Sequence, residues 1–358
     1  MRNLRGSLPD WCYFPGLIRS FYSGRTHRAS HEVRCFHFLP GRDLDDMTSF
    51  FIVLQQVGLF AVYMTIGVIS VKSGVLNKDG LGVLSLFVTR VALPLMVFTN
   101  VVDGTSREDF RSSLPLLLLS LILYLVLFLT GFTLKKAFRM TGDRGNVYRA
   151  CSMFGNAGFI GIPVITALFP ERGMLYIALY TVPDMLILWT VGVLLTSPES
   201  SMKSISPGTL IRKMLNPTII ATLLSVAFVF LGIRLPGVID TALTRAGSVA
   251  TPLALIYLGG AFCFINMPEF LRKKEIYGTI LVKMVVIPIF LFMLFSHLPG
   301  VSRDIALTLS LIGGMPTMTT ITMLAQTQGS DGGYAAGMIT MTTIAAIATL
   351  PLVSLIIG

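Results

Sequence analysis

The chain has 358 residues, 53% of them hydrophobic and 13% charged, with a net charge of +10 and a mean hydropathy of +0.76. A soluble domain carries about 25% charged residues, so this composition excludes an ordinary soluble enzyme or binding module and marks a polytopic membrane protein. The basic residues sit in short loops between apolar stretches, where membrane topology explains them better than nucleic acid does. Residues 1–46 stand apart, with seven arginines, five acids and no apolar run long enough for a signal peptide. They are expected to be a disordered tail or sequence upstream of an internal start at Met47, just before the apolar run Phe50–Leu54.

Ten apolar spans follow, at roughly 50–71, 81–101, 114–135, 148–170, 173–195, 215–233, 243–265, 275–297, 304–326 and 333–357. The boundaries predict a first five-helix repeat over residues 47–196, a short Ser- and Pro-rich cytoplasmic linker over 197–214, and a second five-helix repeat over 215–358. Asn216-Pro217 opens the sixth span with a capping residue and a proline in the first turn. Leu93-Pro94-Leu95 is echoed by Thr251-Pro252-Leu253, and Pro163 by Pro316. Because five is odd, two such halves insert in opposite orientations, which makes an inverted repeat.

Positive charge sets the orientation. One face collects twelve basic residues, among them Lys72, Lys78, Lys135, Arg144, Arg212 and Lys273; the other, leaving out the tail, collects six. The richer face is expected in the cytoplasm of a cell-membrane protein, with both termini outside.

The fourth span contains Phe154-Gly155-Asn156-Ala157-Gly158-Phe159-Ile160-Gly161-Ile162-Pro163, and the ninth contains Gly313-Gly314-Met315-Pro316-Thr317. Proline removes a helical hydrogen bond and glycine lets the chain leave the helix cheaply. Irregular backbone at membrane depth survives only where protein buries it or where it lines a cavity. Two broken helices in matching positions point to a transporter's binding site; the competing reading is close packing and simple kinks. A half-helix starting near Pro163 would offer free N–H groups to a carboxylate, Asn156 adds an amide, and Thr317, Thr319, Thr320 and Thr322 add hydroxyls.

Asp184 is the carboxylate deepest in a span. A charge there costs at least ~3 kcal/mol on insertion scales. It reads as the carrier of a coupling proton, or as a structural ion pair or hydrogen-bonded neutral acid. Lys283 and Arg90 either snorkel to the cytoplasmic face or contact an anionic substrate or Asp184. Cys12, Cys35, Cys151 and Cys263 form no close pair, and none of His27, His31, His37 and His297 lies deep in a span. Neither a metal site nor a cofactor is expected, and no nucleophile elbow or phosphate-binding loop suggests an enzyme or an ATP-driven pump.

Over about Met47–Gly358 the chain resembles the auxin efflux carrier family, which includes plant auxin carriers and bacterial organic-acid permeases. The motifs that carry the resemblance are 154–163, Asn216-Pro217, 252–260 (Pro-Leu-Ala-Leu-Ile-Tyr-Leu-Gly-Gly), Met315-Pro316-Thr317 and Thr349-Leu350-Pro351-Leu352. The resemblance implies an all-α fold like that of the bile acid–sodium symporters: ten transmembrane helices as a 5+5 inverted repeat, with broken, crossing helices 4 and 9 that hold the substrate. It implies a secondary carrier of small organic anions, mono- or dicarboxylates, with an elevator-type movement. Family crossover residues map onto Asn156, Gly158, Pro163 and Pro316, and Gly161 lies in the same motif. The long hydrophilic central loop of many plant carriers is missing. Thr319, Thr320 and Thr322 stand where many bacterial relatives carry an asparagine.

The expected partners are the anion, the bilayer, a coupling proton or sodium ion, and a second copy of the chain, with no nucleic acid. Proton coupling ranks above sodium coupling, for which only Asp184 and carbonyls near the breaks are available. A channel or ligand sensor built on a carrier fold is the rival from another class.

Overall fold

A computed structural model describes residues 44–104, 106–199 and 217–358, all within one unit spanning Asp43–Gly358. The expectations for the tail before Leu44, for most of the linker and for Asn216 lie outside the described residues. Among those residues there is no β-strand, only an isolated antiparallel bridge between Gly155 and Thr317.

In chain order the helices begin with α1 (Leu44–Lys72), α2 (Lys78–Phe87), α3 (Leu93–Gly104), α4 (Arg107–Ser113) and α5 (Pro115–Ala137). Next come α6 (Gly142–Met153), α7 (Ile162–Leu168), α8 (Gly173–Ile187) and α9 (Val193–Thr196). After the linker follow α10 (Pro217–Leu231), α11 (Gly237–Ser248), α12 (Ala250–Phe262), α13 (Met267–Phe270) and α14 (Lys274–Leu281). The last are α15 (Ile287–Ser296), α16 (Arg303–Gly313), α17 (Thr320–Thr327) and α18 (Gly332–Ile357).

Among the described residues, six continuous helical stretches are long and apolar enough to cross a membrane: Ser49–Lys72, Lys78–Asp103, Arg107–Ala137, Gly173–Thr196, Lys274–Ser296 and Gly332–Ile357. They coincide with the first, second, third, fifth, eighth and tenth apolar spans. The fourth and ninth are interrupted at their glycines, the seventh divides at Val249, and the sixth, described from Pro217 onward, is helical over Pro217–Leu231. Leu118, Leu121, Leu125, Leu129 and Phe132 are exposed along α5. Their spacing of three or four residues makes one apolar face, which lipid solvates at no cost and water would not.

Among the described residues, four wide, π-type turns punctuate the long helices: Val88–Ala92, Ala157–Gly161, Leu188–Gly192 and Val282–Val286. In each, the next residue's N–H reaches back five residues, as from Leu93 to the Val88 carbonyl and from Val193 to the Leu188 carbonyl. Three of the four end two residues before a proline, Pro94, Pro163 or Pro288. A proline ring clashes with the preceding turn and donates nothing to it, and a wider turn relieves both problems. Leu188–Gly192 has no such proline after it.

Small residues bring α1 and α12 into close contact. A Cβ on Gly67 would lie 2.0 Å from the Ile256 carbonyl oxygen, and one on Gly259 would lie 2.0 Å from that of Met64. Reciprocal glycine contacts let two membrane helices pack backbone to backbone. α3 packs against α10 and α11, α5 against α6, and α15 against α16. The interior between them, around α6, α8, α16 and α18, is where the broken helices meet.

Candidate functional site

α6 ends at Met153 and the chain turns extended at Phe154. The second half of this broken span resumes at Ala157, earlier than Pro163, which falls at the second position of α7. Asn156 is the cap of that second half: its Oδ1 accepts the Phe159 N–H at 3.2 Å. α16 likewise ends at Gly313, and α17 starts at Thr320.

The two breaks are tied backbone to backbone. Asn156 N–H donates to the Pro316 carbonyl at 2.7 Å, and Met318 N–H donates to the Phe154 carbonyl at 3.1 Å. Thr317 donates its hydroxyl to the Cys151 carbonyl at 3.0 Å and its N–H to Thr342 Oγ1 at 3.1 Å. These bonds satisfy groups that a helix end leaves open, which is how irregular backbone is tolerated at this depth.

Lys283, in the wide turn after α14, is fully buried. Its Nζ donates to the carbonyls of Phe154 at 3.0 Å and Cys151 at 3.2 Å. It neither snorkels nor pairs with Asp184: its Nζ caps the open carbonyls at the C-terminal end of α6.

Asp184 on α8 is also buried, at 2% exposure. Tyr124 donates a hydrogen bond to it. The Tyr180 hydroxyl stands 2.7 Å from that of Tyr124 and 3.4 Å from the Asp184 carboxylate. The acid is therefore held by phenols instead of a cation.

A cavity of about 500 Å³ opens beside the breaks. Asn156, Gly158, Thr319, Thr320 and Asp184 all line it. Gly161, Pro163, Pro316 and Thr317 do not; they form the backbone frame behind it. Its walls are largely apolar, with Leu93, Phe159 and Leu188 among them, and Arg90 brings a cation to its lining.

Asn156 Nδ2 is buried without a hydrogen-bond partner, and so is Trp189 Nε1, which lines the same cavity. An unmet buried donor costs about 1–3 kcal/mol, and two of them belong to residues that line this cavity. The amide orientation is fixed: with Oδ1 taken by the Phe159 N–H, Nδ2 is the free end. Sequence reasoning did not single out Trp189. The signal available was that the chain has two tryptophans and one of them lies inside a membrane span.

A second cavity of about 760 Å³ lies toward the lysine-rich face and is lined by Lys78, Arg144 and Lys273. Arg144 pairs with Asp331 at 2.8 Å and Lys273 with Glu269 at 2.6 Å. Both cations also lie over the Tyr334 ring, at 5.4 and 5.1 Å. Met323 on α17 lines both cavities, so this short helix is the partition between them.

The chain is similar to an uncharacterized transporter of Methanothermobacter thermautotrophicus, 26% identical over 83% of this chain and 95% of the relative. It is also similar to an uncharacterized transporter of Methanocaldococcus jannaschii, 25% identical over 58% of this chain and 68% of the relative. To a Rhizobium meliloti protein named "Putative malonate transporter" it is 23% identical over 76% of this chain and 85% of the relative. Residues 52–354 match the family described as membrane transport protein. This chain, with its apolar helices, its bridged breaks and the cavity beside them, belongs to that family of auxin efflux carrier-type membrane transporters and is a multi-pass transporter rather than an enzyme.

Proposed function

We propose that the protein is a secondary active transporter of small organic anions, mono- or dicarboxylates, coupled to protons and working by elevator-type alternating access. The observation that carries this reading is the unpartnered Nδ2 of Asn156, a residue that lines a cavity beside two mutually bridged helix breaks. A carboxylate supplies acceptors only, which is what an orphan N–H requires. Arg90 offers a countercharge from the same lining. A relative named for malonate transport is consistent with a carboxylate cargo.

The architecture we infer is ten spans in two inverted halves, 47–196 and 215–358, with the broken fourth and ninth helices crossing at the site. The protein would sit in the cell membrane with its lysine-rich face in the cytoplasm and both termini outside. The second cavity would then be the cytoplasmic vestibule.

Asp184 is our candidate for the coupling proton. It lines the substrate cavity, and phenols hold it in place of a cation. Sodium coupling ranks lower because the Cys151 and Phe154 carbonyls at the break are already occupied by Lys283 and by the second break. The test is uptake by proteoliposomes of a carboxylate panel including malonate, under imposed pH and sodium gradients. Saturable uptake driven by the pH gradient is expected. Uptake that follows only the sodium gradient would reverse the coupling, and current too fast for alternating access would replace the carrier with a channel.

A further inference from the structure

We propose that Trp189 is a second anion-binding residue of the central cavity, its indole N–H donating to the substrate's carboxylate or to another acceptor on the same molecule. The inference deepens the carrier reading and rests on it. Three observations converge on this side chain.

First, among the described residues lining the cavity, Asn156 Nδ2 and Trp189 Nε1 are the two buried side-chain donors without a partner. Buried polar groups are almost always hydrogen-bonded, so each exception asks for a cause. Two in one cavity share the same cause most simply if a bound molecule satisfies both.

Second, the polar side chains on the same helical stretch bond elsewhere and none of them takes the indole N–H. Asp184 Oδ1 accepts from Tyr124 and Tyr180. The Thr190 hydroxyl turns back to the Leu186 carbonyl at 2.6 Å, and that of Thr181 to the Ile177 carbonyl at 2.8 Å.

Third, Trp189 lies in Leu188–Gly192, the one wide turn among the described residues that no following proline explains. Such turns occur disproportionately at functional sites because the extra residue per turn re-aims the side chains it carries. Gly192 supports this turn: a Cβ there would lie 3.2 Å from the Phe154 ring, so the helix runs hard against the first break. The turn therefore couples Trp189 to the segment that carries Asn156.

The ligand chemistry follows from the donors. Both are neutral N–H groups, so they reward a group that only accepts, such as a carboxylate, and give an ammonium nothing. The apolar walls around them accommodate a carbon skeleton.

The chain's only other tryptophan is Trp11, so a Trp11→Phe background leaves Trp189 as the sole indole reporter. The experiment titrates this protein in nanodiscs with malonate, succinate, acetate and benzoate, reading indole fluorescence and calorimetric affinity together. A saturable fluorescence change is expected for each anion that binds. Trp189→Phe is expected to weaken that affinity roughly tenfold, the effect of one charge-assisted hydrogen bond. Replacing Trp189 by its sulfur isostere benzothienylalanine keeps the shape, removes only the N–H, and is expected to weaken binding equally. Wild-type affinity in the benzothienylalanine protein overturns the assignment while leaving the transporter reading intact. Failure of every carboxylate to bind the unmodified protein overturns both.

Discussion

Asn156 divides its two ends between structure and ligand. Oδ1 caps the second half of the broken helix, and Nδ2 stays unmet on a residue that lines the cavity. An alanine would remove both functions, and losing a cap alone costs about 1 kcal/mol of stability. Asn156→Asp is the sharper change, because the carboxylate still caps while the donor becomes a like charge facing the substrate. It is expected to abolish saturable carboxylate binding with the protein still monodisperse on size exclusion; binding within twofold of wild type would remove Asn156 from the site. Asp184→Asn removes an ionisable group and keeps hydrogen-bonding capacity toward Tyr124 and Tyr180. It is expected to leave exchange of internal for external anion intact and to eliminate the response to an imposed pH gradient. Normal gradient-driven accumulation in this variant would show that the proton travels elsewhere.

The broken helices show how far sequence carries and where it stops. The glycines and prolines announced two interruptions, and 154–163 pointed to the right stretch. The position of the break within it was not legible, because Pro163 suggested a restart that in fact occurs at Ala157. Proline acts on the turn before itself, and the wide turn Ala157–Gly161 absorbs the clash so that the chain can stay wound. Lys283 was legible as a cation in a span, but its partners are backbone carbonyls far off in sequence. No local pattern encodes such partners. Trp189 escaped for the same reason: an indole in an apolar span reads as ordinary packing until the unmet N–H is seen.

Lys283→Met tests the element-level account. It removes two hydrogen bonds from the end of α6, each worth about 0.5–1.5 kcal/mol. A clearly lowered unfolding temperature in detergent and lost uptake are expected. Unchanged thermal stability would mean that the second break alone holds the first one open.

At the scale of the whole molecule, the composition made a membrane protein unavoidable, and the spans that are uninterrupted helices were legible from hydropathy alone. The interrupted ones depend on contacts between distant parts of the chain, such as the bridge from Gly155 to Thr317. The cavity placement also has a mechanical consequence. The central cavity and the one near the lysine-rich face are separated by α17, one short helix with Met323 on both sides. In the proposed mechanism, movement of the broken helices relative to the partnered α1 and α12 would expose the central cavity to one face at a time.

Counterflow addresses that claim directly. Proteoliposomes are loaded with unlabelled carboxylate, diluted into a trace of the labelled compound, and followed over time for each member of the panel, malonate included. An alternating-access carrier is expected to concentrate the label transiently inside, with no imposed gradient of protons or sodium, and Asn156→Asp is expected to remove that overshoot. Label that only equilibrates, or never enters with any carboxylate in the panel, would contradict the account.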